Sequence, residues 1–464
     1  MKVKTIPSAW MRRDGRRFDS GPYLSGALEA KVRLEEMTCP KDRLADLCEG
    51  GIAGLVNAGR ITRQWAADAA HGVPFLTSTS ILQADLSDLR FISRRAVREN
   101  PKLIIREGHT LITRAGTIGR MSYARPDMDG MACTEDVLRV IPDSQRVPSG
   151  YLYAFLSSKF GVPLVTSGTY GAIIQHIEPQ HIADLPVPRL GDAVEKRVHG
   201  LVKGAARKRT NATQLLSQAD SCVRAMLGKP VDDGCDHEKT WTFVSCTRLQ
   251  SRFDAYYFSN RCEAARRALD TAQVDEHRRL ADVATVFIPG IFKRRYADDP
   301  RFGVPYITGG DVFQLTPKSE RYLMHRVVTE HQLAVEEGTI LIQEAGQLGG
   351  LIGRSVMVGS HLDGFAVSNN MVRVKSNVRR DAGFIFALLS TDEGVTLIAR
   401  EAAGSSIPHM DATRVRGLQI PWPNQKRRYE VSDLVDEAIK LRDGATLAED
   451  EARTLVERAI EEAT

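Results

Sequence analysis

The chain has 464 residues, of which 42% are hydrophobic and 26% charged, with a formal net charge of +5. These are the proportions of an ordinary globular protein long enough for two to four domains, mildly basic rather than histone-like. It contains no apolar run near 18 residues, no secretory leader pattern and no CxxC pair among its seven cysteines, so a membrane span and a disulfide framework are not expected and a reducing cytoplasm is.

In chain order, a basic lead, MKVKTIPSAWMRRDGRR, comes first, and no role for it follows from its residues. Short apolar or β-branched runs between Gly and Asp turns then predict strands at Leu103-Ile104-Ile105, at residues 109–113 and at residues 137–141. Aromatic and aliphatic residues after Ser149-Gly150 predict a helix over residues 150–159. From Val194 the positions Val194, Val198, Leu201, Ala205, Lys208, Ala212, Leu215, Ala219, Cys222 and Met226 step alternately by four and three. That is a heptad seam interrupted by Lys208, closed by Leu227-Gly228-Lys229-Pro230. About 36 residues of helix would span about 54 Å at about 1.5 Å per residue. Strands are expected again at residues 339–342 and 371–374, and a helix over residues 383–390. A second seam follows through Leu434, Ala438, Leu441, Ala445, Ala448, Ala452, Leu455 and Ala459.

The second set of elements repeats the first at a spacing of about 230 residues. Arg17-Phe18-Asp19 returns as Arg252-Phe253-Asp254, Leu44-Ala45-Asp46 as Leu280-Ala281-Asp282, and GVPFLT from Gly72 as GVPYIT from Gly303. EGHTLITRAGTIGR pairs with EGTILIQEAGQLGG, SGYLYAFLSSKFG with AGFIFALLSTDEG, and YGAIIQHIEPQHIADLPVP with AGSSIPHMDATRVRGLQIP. Two copies are too few for a solenoid and imply two similar domains, each with its own core. The expected class is α+β: two duplicated domains, each followed by a long heptad helix, the two helices pairing antiparallel as a spacer. The expected boundaries are residues 1–190, 191–230, 231–424 and 425–464.

No catalytic constellation accompanies this duplication. A GxxxxGK[ST] phosphate loop, a GxSxG elbow, an HExxH metal motif and an [ND]PP[YF] base-flipping tetrapeptide are all missing. Gly346-Gln347-Leu348-Gly349-Gly350 and Gly50-Gly51 with Gly54 are glycine-rich, but neither runs from a strand into a helix as a dinucleotide fold requires, so turns are expected. Cys235 and His237 lie close together with no second ligand pair, so no zinc site is expected. His176 and His409, equivalent in the two copies, suit a structural or DNA-facing role better than catalysis. Basic clusters at Arg12-Arg13 with Arg16-Arg17, Arg94-Arg95 with Arg98, Arg207-Lys208-Arg209, Lys293-Arg294-Arg295 and Lys426-Arg427-Arg428 permit phosphate contact.

Two ordered sets of blocks, each ending in a heptad helix, resemble the specificity subunit of type I restriction–modification enzymes over nearly the whole chain. The segment from Ser167-Gly168-Thr169-Tyr170 to Val187-Pro188, the LITRAGTIG stretch, and Arg252-Phe253-Asp254-Ala255-Tyr256-Tyr257 carry the likeness. The resemblance implies two target-recognition domains reading a bipartite double-stranded DNA site, one half each. It implies a non-catalytic chain that binds no cofactor itself and docks two copies of an adenine methyltransferase subunit holding S-adenosylmethionine, with a nuclease–translocase subunit as an optional addition. A stand-alone nuclease or methyltransferase fused to recognition domains, and a duplicated protein-interaction scaffold, are the alternatives.

Base edges and phosphates are read by polar and basic side chains on loops. In the first copy the candidates are Arg60, Arg63, Gln64, Ser78, Thr79, Arg114, Thr117, Arg120, Thr169, Tyr170 and Gln175. In the second they are Lys293, Arg294, Arg295, Tyr296, Gln343, Gln347, Arg354, Ser405, Ser406 and His409. Glu344-Ala345-Gly346-Gln347 replaces Arg114-Ala115-Gly116-Thr117, so contacts cannot be copied between domains. No metal ligand is expected.

Overall fold

The computed structural model describes residues 5–9, 21–167, 176–227, 243–249, 252–404 and 406–463. The chain divides into two compact units, residues 1–210 with 444–464, and residues 211–443. Both divisions fall inside long helices, Asp192–Arg224 and Gln425–Glu462, so each unit takes part of each.

In the first unit the short apolar runs build three small sheets. Strand β1 (Lys41–Arg43) will pair with β10 (Pro186–Pro188). Between them lie β2 (Leu55–Val56), β3 (Trp65–Ala66), β4 (Gly72–Leu76), β5 (Phe91–Ser93), β6 (Thr110–Thr113), β7 (Met121–Tyr123), β8 (Ala132–Cys133) and β9 (Val137–Val140). They pair in the orders β2-β9-β6-β7 and β3-β5-β4-β8, with β4 and β8 parallel. Leu111 and Val137 of one sheet pack on Leu76 and Cys133 of the other. The first sheet is closed from its other side by the helix Ser149–Leu156 and by Val198, Val202, Ala206, Ala452, Val456 and Ile460 of the long helices.

The second unit repeats this plan strand for strand. Strands β11 (Glu276–Arg279), β12 (Ala284–Phe287), β13 (Tyr296–Ala297), β14 (Gly303–Ile307), β15 (Arg321–Met324), β16 (Ile340–Gln343), β17 (Ser355–Met357), β18 (Ala366–Val367) and β19 (Met371–Ser376) precede β20 (Ala402–Ala403), β21 (His409–Met410) and β22 (Gln419–Trp422). The orders β12-β19-β16-β17, β13-β15-β14-β18 and β11-β22 match those of the first unit, including the parallel pair, β14 with β18. For the hairpin β20-β21, the corresponding first-unit residues 168–175 lie outside the described residues. The helix Ala382–Ser390 stands where Ser149–Leu156 stands, starting one residue earlier than the periodicity predicts. In both helices the second residue is a glycine because the long helix passes too close for a side chain. A Cβ on Gly150 would lie 3.0 Å from His199 Cα, and one on Gly383 2.7 Å from Ser432 Cα.

Each unit also buries one arginine between its sheets. Arg139 of β9 and Arg373 of β19 are 1% exposed. Arg139 donates to the carbonyls of Ile104, at 2.7 Å, and Lys102. Arg373 donates to Leu333, Val367 and Gln332. Burial lowers both guanidinium pKa values, that of Arg373 to about 10, so both stay charged at neutral pH. This corrects the strand expected at Leu103-Ile104-Ile105. Pro101–Leu103 is a 3-10 turn and Ile104 makes only a single bridge, to Ala132, because the arginine takes the carbonyls a strand partner would use.

The heptad seams are half right. Val198, Ala205, Ala212, Ala219 and Met226 are buried as expected, as are Ala438, Ala445 and Ala452. The alternate positions are displaced by one residue. Val202, Arg209 and Val223 are buried, whereas Leu201, Lys208 and Leu215 are half-buried and Cys222 is exposed. In the second helix Val435, Glu449 and Val456 are buried in place of Leu434, Ala448 and Leu455. The cause is that each helix packs on a sheet-bearing core as well as on its partner, which widens the buried stripe beyond a two-helix seam. Within the first unit the helices run antiparallel: Arg197 pairs with Glu451 at 3.1 Å, and Lys208 Nζ donates to Gly444 at 3.3 Å. Arg209, which sequence places in a surface cluster, is 3% exposed and ion-paired to Glu449, 2% exposed. Burial alone would raise the Glu449 carboxyl, but Arg209 and Arg453 more than offset it and hold it low.

This phase is testable by placing a carboxylate on each alternative. Val456→Asp buries an unpaired charge and should cost about 3–5 kcal/mol in urea unfolding. Leu455→Asp should cost much less, because Leu455 is half-buried. Equal losses would contradict the displaced seam.

Candidate nucleic-acid interface

The loop before β3 is anchored by one apolar residue that throws its neighbours outward. Ile61 packs against Phe75, Ile92 and Ala58, leaving Arg60, Arg63 and Gln64 exposed. Phe292 packs likewise on the Tyr306 cluster, and Ile291, Lys293, Arg294 and Arg295 are exposed around it. Arg63 lies 5.7 Å from the Phe75 ring and Arg294 6.0 Å from that of Tyr306, the matching aromatic. The difference between the units is charge. Arg63 is compensated by Glu135 at 3.5 Å and donates to Thr134 Oγ1 at 3.2 Å. Asn369 occupies the matching stretch of the second unit, and Lys293, Arg294 and Arg295 have no carboxylate partner among the described residues.

Glu135 gathers the loops of the first unit. Its carboxylate takes Arg63 and its carbonyl accepts from Arg114 Nη1 at 3.4 Å. Burial alone would raise the Glu135 carboxyl, but its own backbone N–H, the Thr134 hydroxyl and Arg63 more than offset that and hold it low. Arg114 also donates to the Ile177 carbonyl at 3.0 Å and pairs with Glu178. With a side chain only 13% exposed, it is a clamp rather than an open contact. In the second unit the same clamp is built with opposite charge: Glu344, buried, pairs with His409 Nδ1 at 2.9 Å. Met410 N donates to the Glu344 carbonyl as Ile177 N donates to that of Arg114, which fixes the equivalence.

The other candidates divide by exposure. Thr79, Thr117, Gln347 and Ser406 are exposed, as is Arg120, while Ser78 and Arg354 are half-buried. Gln343 is half-buried and donates its amide to the Ala345 carbonyl at 2.8 Å, holding the turn. Tyr296 lies on β13 with its hydroxyl accepting from Arg321 Nη1 at 3.3 Å. Thr169, Tyr170, Gln175 and Ser405 lie outside the described residues, with Arg17-Phe18-Asp19, Cys235 and His237. Of the basic clusters, Arg95 pairs with Glu99 at 2.8 Å and Arg428 with Asp381 at 2.8 Å. The glycine-rich stretches form turns, with Gly346 at φ 148° and Gly50 at 66°.

Among the described residues no group of three or more metal-ligating side chains comes together. Burial pushes the Cys48 and Cys133 thiols up to about 12 and about 11, which keeps both protonated and poor nucleophiles. No single described helix is long and apolar enough to cross a membrane. Glu135 and Glu178, which organise the loops, carry no local sequence signal of that role, because their partners Arg63 and Arg114 lie far away in the chain and meet them only in the fold.

Arg114 and Arg60 should therefore behave differently. Arg114→Ala should destabilise the fold by about 1.5–3 kcal/mol through lost charged hydrogen bonds. Arg60→Ala should leave stability within about 0.5 kcal/mol, as for an unpaired surface residue. Thermal and urea unfolding check both; a silent Arg114→Ala would contradict the clamp.

No family model and no curated protein sequence matches the chain. Solved structures similar to it include a type I restriction–modification S subunit from M. genitalium, at 10% identity and TM-score 0.34 over 92% of this chain and 96% of that one. The HsdS subunit from Thermoanaerobacter tengcongensis is 10% identical, at TM-score 0.27 over 91% of this chain and 96% of that one. A chain from a structure addressing complex assembly and conformational transition of the type I R-M system is 12% identical, at TM-score 0.28 over 91% and 97%.

Proposed function

We propose that the chain is a DNA-recognition subunit that reads a bipartite site, one half per unit, within a type I-like restriction–modification or related methyltransferase complex of the cytoplasm. The observation that carries this reading is the pair of equivalent loop sets. The same strand order presents the same loops twice, and the exposed side chains differ: Arg60, Gln64 and Thr117 in one unit, Lys293, Arg294, Arg295 and Gln347 in the other. Duplicated scaffolds with divergent polar tips suit a ligand of two similar but non-identical halves. Basic tips supply phosphate contacts, and Gln, Thr and Arg supply base contacts. The continuous helix Gln425–Glu462, 38 residues long, would set the gap between half-sites. Catalysis is assigned to partners: two copies of an adenine methyltransferase subunit carrying S-adenosylmethionine and, where restriction occurs, a nuclease–translocase. The chain itself is then neither nuclease nor methyltransferase.

The purified chain should bind duplex DNA with an affinity that falls steeply as salt rises. With labelled S-adenosylmethionine and mixed duplex it should leave no label on DNA. Label transferred by the chain alone, free of any copurifying methyltransferase, would assign it catalysis. Duplex binding that is absent at low salt would remove DNA as the ligand.

A further inference from the structure

Behind the exposed loops each unit carries a second arginine on an aromatic shelf, and its position is the same in both. Arg90, next to β5, lies 3.8 Å from the Trp65 ring centroid; Arg321, at the start of β15, lies 5.2 Å from that of Tyr296. The equivalence is fixed by register. Phe75 N donates to the Arg90 carbonyl, and Tyr306, which matches Phe75, pairs with Arg321. Trp65 and Tyr296 match in turn, each lying on the edge strand of its second sheet and each close to the next aromatic, Trp65 to Phe75 at 5.5 Å and Tyr296 to Tyr306 at 6.3 Å. Both arginines are exposed and neither forms an ion pair among the described residues; Arg321 differs in donating Nη1 to the Tyr296 hydroxyl at 3.3 Å and in feeling the charge of its neighbour Glu320.

We propose that Arg90 and Arg321 are equivalent DNA-phosphate contacts, each held in place by its aromatic shelf. This rests on the DNA-recognition reading. A guanidinium is planar, weakly hydrated and carries five N–H donors, so it can rest against a ring, and in Arg321 give one donor to the Tyr296 hydroxyl, while the others stay available for a phosphate oxygen. Stacking restricts the long side chain before the ligand arrives, which lowers the ordering cost of binding. Trp65, 38% exposed, is a large apolar surface at the rim of the sheet, where a buried role would have enclosed it. The shelf survives a change of ring from Trp to Tyr, and the surrounding charge differs between units, yet the arginine stays in register. Arg60 on one side, and Lys293 with Arg294 and Arg295 on the other, extend the cationic surface along the neighbouring loop.

The test uses the full chain and a fluorescent duplex pool of random central sequence, titrated across a salt series. Arg90→Ala and Arg321→Ala should each flatten the slope of log affinity against log salt by about one, and the double variant by about two. Arg90→Lys should keep the slope while weakening binding, because it keeps charge and loses the stack. Arg90→Gln serves if the alanine variant does not fold. Lys196→Ala, which removes an exposed cation already paired with Asp192 at 2.8 Å, should change nothing. Unchanged slopes in both arginine variants, with the parent still binding duplex, would overturn this assignment and leave the DNA reading intact. A parent chain that binds no duplex would overturn both. Equal binding to polyglutamate, lost in the same variants, would make the surface a site for acidic protein and overturn the assignment.

Discussion

One buried arginine in each unit holds the fold's two sheets in their working relation. Arg139 and Arg373 sit on the strand that centres the first sheet and reach backbone carbonyls of the segments feeding the second. Neither has a carboxylate to neutralise it among the described residues; carbonyl dipoles do so instead. Replacing such a group with an apolar residue would leave several buried carbonyls without donors, each costing about 1–3 kcal/mol. Because the second sheet bears the loop before β3 or β13, the placement of the exposed basic residues depends on this internal charge. The arginine also explains why a stretch as apolar as Leu103-Ile104-Ile105 does not become a strand.

The long helices are tied to the same logic. They are amphipathic, but their buried stripe serves a sheet-bearing core and a partner helix together. Two glycines, Gly150 and Gly383, let the short core helix meet the long one at close range, and His199 Nδ1 and Ser432 Oγ accept from the backbone N–H groups of Gly150 and Phe384 there. In the first unit the Arg209–Glu449 pair, joined by Arg453 at 3.6 Å and the Tyr153 hydroxyl at 3.4 Å, adds a polar lock to the helix contact. Such a pair is weak evidence for stability but constrains register, since sliding either helix would strand a buried charge.

Much of this was legible in the sequence. The duplication marked two equivalent domains, the period of the seams marked two long helices, and Gly-bounded apolar runs marked most strands. What escaped was whatever depends on contacts distant in the chain. The seam phase was misplaced because Leu201 and Val202 are equally apolar, and only the sheet beneath decides which turns inward. Arg114 looked like a base reader because an arginine in a glycine turn is normally exposed; Glu178, in a different block, captures it. His409 looked equivalent to His176 and is, but its partner Glu344 is visible only once the turn is folded. Arg90 and Arg321 were findable: they keep the spacing of Gly72 and Gly303, and a register comparison extended past the matched block would have paired them.

On the proposed function, each of the two equivalent units reads its own half of a split site. The decisive measurement is selection of bound duplexes from a random pool, followed by sequencing. Two short specified halves at a fixed unspecified gap are expected, and replacement of residues 39–188 by the matching part of a related protein should rewrite one half and leave the other unchanged. A single uninterrupted motif, or a replacement in one unit that rewrites both halves, would contradict it.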